Sequence, residues 1–124
     1  MTDKLSYQRI RNRILEIIEW IIESEKTPPE LGFNNLINHW DDWTYNSKQA
    51  SDFPAPFFSE SEGQLLAALT DAINIFCQIT LTGIKNENEA LHSPEWKSVI
   101  VLARHTHEEM MKRRRFSEDT ILDF

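Results

Sequence analysis

The sequence predicts an all-α fold: a compact single-domain bundle of about four main helices around a long central one, with one long aromatic and proline-rich loop. Three observations carry this. Apolar residues recur at three- and four-residue steps in successive segments, the period of a helix with one buried face. Ser59 with Glu62, and Ser93 with Pro94, stand where two of those segments begin and have the chemistry of helix N-termini. Only three glycines occur in 124 residues, few for a sheet protein with many tight turns. At this length folding buries about two-thirds of the chain's surface, enough for one domain over 1–124 with its own core.

The first helix is expected near 6–25, capped by Ser6. Ile10, Ile14, Ile17, Ile18, Ile21 and Ile22 form its inner face, with Leu15 and Trp20 on the flanks. Its charges run from Arg9, Arg11 and Arg13 to Glu16, Glu19 and Glu23, the reverse of what the helix dipole favours. Those glutamates are either a solvated face with local pairing to the arginines or a ridge open to a partner. Thr27-Pro28-Pro29 ends the helix, because a proline disfavours helical angles at the residue before it.

A second helix spans 32–44, with Phe33, Leu36, Ile37, Trp40 and Trp43 toward the core. Asn34, Asn38, Asp41 and Asp42 lie on the other side. Residues 45–58 show no helical period, yet Tyr45, Phe53, Phe57 and Phe58 are too apolar for a free linker. That loop either packs across the domain or offers its aromatics to a partner.

The long helix is expected over 59–82, with Gly83 as its C-terminal cap. Leu65, Leu66, Leu69, Ala72, Ile73, Phe76 and Thr80 mark its inner face. Ala67, Ala68, Ile75, Cys77, Ile79 and Leu81 widen the apolar surface. Cys77 reads as a small core hydrophobe, slow to react in the folded state. A polar connector with room for one helical turn leads to a last helix over 94–114. Trp96, Val99, Ile100, Ala103, His107 and Met110 face inward, and Lys112 to Arg115 lie at the C-terminus. Phe116, Ile121, Leu122 and Phe124 should anchor the tail against the bundle.

The net charge is −7, and its distribution is uneven. Residues 1–15 carry +3, residues 16–62 carry −8, residues 63–111 carry −3, and residues 112–124 carry +1. An acidic field of this kind repels nucleic acid and attracts a basic partner. The single cysteine excludes an intramolecular disulfide. ILEIIEWIIES is interrupted by Glu16, Glu19 and Glu23, so it is neither a signal-peptide core nor a membrane span.

Catalytic chemistry finds no support in the residue pattern, which lacks a phosphate-binding glycine loop and a nucleophile motif. His105 and His107 point about 200° apart on a helix and do not share a metal ion. No metal, no cofactor and no enzyme activity are therefore expected.

FNNLINHWDDW, the aromatic and proline-rich loop, and FFSESEGQLLAALTDAINIF together resemble the small immunity proteins of bacterial contact-dependent growth inhibition systems. The resemblance spans roughly residues 30–80. It implies a cytoplasmic protein that binds a cognate toxin domain, commonly a basic nuclease, and blocks its active site. The charge pattern then nominates Glu16, Glu19, Glu23, Asp41, Asp42, Asp52, Glu60 and Glu62 as one acidic surface, rimmed by Tyr45, Phe53 and Phe57. Reversing Asp41 and Asp42 should slow association, whereas Glu118 and Asp119 should matter little. The other class the sequence allows is a helical adaptor or regulatory subunit, homodimeric through its aromatic surface.

Overall fold

In the computed structural model, residues 4–26, 32–44, 49, 52–82 and 87–122 are described, with backbone alone at 33, 34, 80–82, 87 and 88. Five helices follow in order: α1 Lys4–Glu23, α2 Gly32–Thr44, α3 Glu60–Thr82, α4 Glu87–Leu91 and α5 Pro94–Met111. No strand occurs among the described residues. The polar connector supplies α4. Helix α1 starts at Lys4, so Ser6 lies inside its first turn and is not the cap. Tyr45, Gly83 and Phe124 fall outside the described residues, as does the Thr27-Pro28-Pro29 stop.

The two sequence signals for helix starts work as their chemistry requires. The Glu62 N–H donates to Ser59 Oγ at 3.1 Å, and the Ser59 N–H donates to Glu62 Oε1 at 2.7 Å. This reciprocal pair satisfies two N–H groups that the first turn of α3 leaves without partners. Ser93 Oγ likewise accepts from the Trp96 N–H at 3.2 Å, with Pro94 in the first turn of α5.

Helix α5 packs against α1, α3 and α4, and α1 packs in turn against α2. Both α1 and α3 run antiparallel to α5. Ser24 and Phe76 meet Trp96 at one end, while Arg11 and Ser61 reach Met110 and Glu109 at the other. Through the core run Ile14, Ile18 and Ile21 of α1, Leu66, Leu69, Ile73 and Phe76 of α3, and Trp96, Val99 and Ala103 of α5. Trp40 and Trp96 are fully buried, and each indole N–H finds an acceptor: Thr70 Oγ1 at 3.0 Å and Ser24 Oγ at 2.9 Å. An unmatched buried donor would instead cost about 1–3 kcal/mol.

The apolar face of α3 is narrower than its composition suggests. Ala68 and Ile75 are exposed and Cys77 is half-buried at the margin of the core. Packing on α5 fixes one face of α3, and among the described residues nothing covers Ala68 and Ile75 on its outer side. Trp43, expected inside, is also exposed, because it closes the last turn of α2 beyond the buried Trp40.

The described part of the aromatic loop, residues 52–58, packs its rings inward. Phe53, Phe57 and Phe58 are all buried; Phe57 stacks on Tyr7 at 5.1 Å and Phe53 meets Phe58 edge-on at 5.5 Å. The Ala55–Pro56 peptide is cis. The tail folds back onto α1. Asn12 binds both backbone groups of Phe116, and Gln8 binds Ser117 O, Thr120 O and the Leu122 N–H. Phe116 is buried and Leu122 half-buried, but Ile121 stands exposed and anchors nothing.

Candidate partner-binding surface

The acidic residues nominated from the sequence divide into three groups. Glu62 is interior. Its carboxylate makes a two-pronged pair with the fully buried Arg11 guanidinium, 2.8 Å on each side, and accepts from Arg113 at 2.7 Å. Arg11 also donates to Phe57 O and Met110 O, and lies 4.4 Å above the Phe116 ring. Burial by itself would raise the Glu62 carboxyl, but the bonds from Arg11, Arg113 and the Ser59 N–H outweigh it and hold the group below its ordinary value. Glu62 is thus a structural anion joining α1, α3 and the segment after α5. Phe53 and Phe57 are interior with it, so the expected aromatic rim is corrected: hydrophobic burial takes those rings before any partner reaches them.

A second group is neutralised within the molecule. Glu19 receives Arg115 and His107, the latter at 3.0 Å. Burial opposes its charge, yet these two partners keep its carboxyl below the ordinary value. Glu16 pairs with Arg13 at 3.4 Å. The ridge of Glu16, Glu19 and Glu23 is therefore largely answered by cations, and the C-terminal basic run supplies much of the answer. Arg113 and Arg115 go to Glu62 and Glu19, and Lys112 goes to Glu109. Arginines spent on internal carboxylates do not form a phosphate-binding strip.

The third group faces outward. Glu23, Asp42, Asp52 and Glu60 are exposed, and none pairs with a cation among the described residues. Asp41 is half-buried beside Asp42, with Oδ1 buried and without a hydrogen-bond partner among the described residues. Burial first, and the charge of Asp42 second, push its carboxyl above the ordinary value. It therefore does not lie squarely opposite the apolar face, as the period of α2 suggested.

Exposed aromatics do accompany these acids, but they are different ones. Trp20 is 44% exposed and meets His39 edge-on at 5.9 Å, across the α1–α2 junction. Trp43, one turn beyond His39, is 38% exposed. Glu23 follows Trp20 by three residues and Asp42 follows His39 by three, so exposed carboxylates without a cation partner among the described residues stand on both sides of the Trp20–His39 contact. The sequence does carry the signal for Trp20, which departs from the isoleucine stripe of α1 and sits between Glu16 and Glu23. It carries one for Arg11 as well, which continues the inner stripe from Tyr7 to Ile14 and Ile18 and so must be buried with a partner.

His107 is held by Glu19, whereas His105 is exposed, as their two-residue spacing requires. Among the described residues no group of three or more His, Cys, Asp and Glu side chains is placed to hold a metal ion, and no helix is long and apolar enough to cross a membrane. Comparison with protein-family models, curated proteins and solved structures finds no match to this chain.

Proposed function

We propose that the chain is an immunity-type inhibitor that binds a basic bacterial toxin domain, of the nuclease kind, and neutralises it in the cytoplasm by covering its cationic site. It acts by binding and catalyses nothing. The observation that carries this reading is the pairing pattern of the charges. Arginines of the N-terminal helix and of the C-terminal run are matched by Glu16, Glu19, Glu62 and Glu118, while Glu23, Asp42, Asp52 and Glu60 stay unmatched on the outside. Unmatched carboxylates attract a basic surface and raise its rate of encounter, whereas they repel polyanions. The resemblance over residues 30–80 supports the same class.

A homodimeric adaptor calls for a contiguous apolar patch. Among the described residues the exposed large apolar side chains Trp20, Trp43, Ile75, Val101 and Ile121 are spread over α1, α2, α3, α5 and the tail, and only the α1–α2 junction holds two of them. That distribution favours the inhibitor reading. The test is to purify the toxin domain encoded beside this chain and titrate its activity with the full-length protein. A one-to-one complex that abolishes activity, and whose association slows as salt rises, is the expected result. An acidic partner, or a basic toxin left fully active at saturation, would overturn the proposal.

A further inference from the structure

Resting on that reading, we infer that the energetic centre of the interface is the Trp20–His39–Trp43 face of α1 and α2, and that its occupant is an arginine side chain of the basic partner. Binding energy at protein interfaces concentrates on a few residues, with Trp and Arg prominent among them. Two large indoles held partly open to solvent on packed helices supply such anchors without the ordering cost of a loop. The charge around them selects the occupant. Glu23 and Asp42 are unmatched carboxylates within one helical turn of the rings. A guanidinium can stack on an indole and meet a carboxylate with two parallel hydrogen bonds. A lysine ammonium offers a more strongly hydrated point charge, and so gains less from the same face.

The alternatives on the surface lack one half of this combination. Asp52 and Glu60 are free acids whose neighbouring rings, Phe53, Phe57 and Phe58, are buried. Val101 is exposed but is not aromatic, and on its own face of α5 Lys97 is a cation while Arg104 is already paired with Glu25.

The four indole N–H resonances of the full chain read the proposal directly. Trp40 and Trp96 are buried and bonded internally, so they serve as silent references. Titration with hexa-arginine amide should move the Trp20 and Trp43 signals and leave the other two in place. Hexa-lysine amide should bind at least about threefold more weakly. The Trp20→Leu/Trp43→Leu double variant, and separately Glu23→Gln/Asp42→Asn, should each weaken hexa-arginine binding about tenfold. Asp52→Asn/Glu60→Gln should leave it unchanged. Equal binding of the two peptides, or loss confined to the Asp52/Glu60 variant, would overturn the inference.

The toxin assay separates this inference from the proposed function. Full inhibition by Trp20→Leu/Trp43→Leu at wild-type affinity sinks the arginine site and leaves the inhibitor intact. Failure of the wild-type chain to inhibit, with arginine still captured at these indoles, does the opposite.

Discussion

Glu62 closes the first turn of α3, pairs with Arg11 and receives Arg113, all through one buried carboxylate. Removing its charge while keeping its shape, by Glu62→Gln, leaves the Arg11 cation buried without a counter-charge. The expected loss is about 3–5 kcal/mol, read as a drop in the urea midpoint. The same group shapes the acid limb of stability. Its folded-state pKa lies below the ordinary 4.5, so its contribution is complete above that value and is lost as pH falls through the folded one. Wild type should therefore weaken below about pH 4.5, and the Glu62 component of that slope should be missing from the variant. Asp41 behaves in the opposite sense. Its carboxyl is raised, so its charge costs stability above the folded-state pKa, and the cost fades as pH falls. Asp41→Asn should raise the urea midpoint at pH 7 and lose that advantage in acid.

The end of α5 shows how a whole element is joined to the rest. Arg114 has a positive φ of 64°, and its N–H donates back to Met110 O at 3.1 Å, the geometry of a left-handed helix stop. Glycine has no Cβ to crowd in that conformation. Arg114→Gly should therefore stabilise the fold by about 0.5–1 kcal/mol, measured as a higher melting temperature. The stop turns the chain so that Phe116 enters the space beneath Arg11 and Asn12. Phe116→Ala should cost about 3 kcal/mol by calorimetry, through lost burial and an uncovered guanidinium. The return of the tail was legible from its apolar residues. Its berth was not, because Gln8 and Asn12 grip backbone atoms and so leave no matching side-chain pattern in the tail.

Across the whole molecule, on the proposed reading, the exposed carboxylates set the long-range field and the exposed indoles set what a basic partner gains on contact. Charge reversal at Glu23 and Asp42 should slow association with a basic toxin domain several-fold at low salt and flatten its salt dependence. Asp119→Lys, which shifts the net charge by +2 as either single reversal does, is the control for each of them. Glu118 is not, because it is tied to Arg13 and Asn12 and its reversal would disturb the tail. Stopped-flow mixing at two ionic strengths decides the matter: equal rates for reversal and control at low salt would remove the electrostatic role.

By itself, the sequence determined the helices, their starts at Ser59 and Ser93, the isoleucine stripe of α1 and the acidic bias of the first half. Those features rest on local spacing and local hydrogen bonds, which neighbouring residues specify directly. Tertiary structure alone decided which charges survive on the surface. Glu19, Glu62 and Glu118 meet arginines 51 to 105 residues away, at positions that no local period encodes. It also exchanged the expected aromatic rim of Phe53 and Phe57 for Trp20 and Trp43. Both sets are equally apolar as letters, but residues 53–58 fold over the core and bury their rings, while Trp20 and Trp43 stay partly exposed at the α1–α2 junction. Burial depends on which neighbours arrive, and that is fixed only when the helices pack.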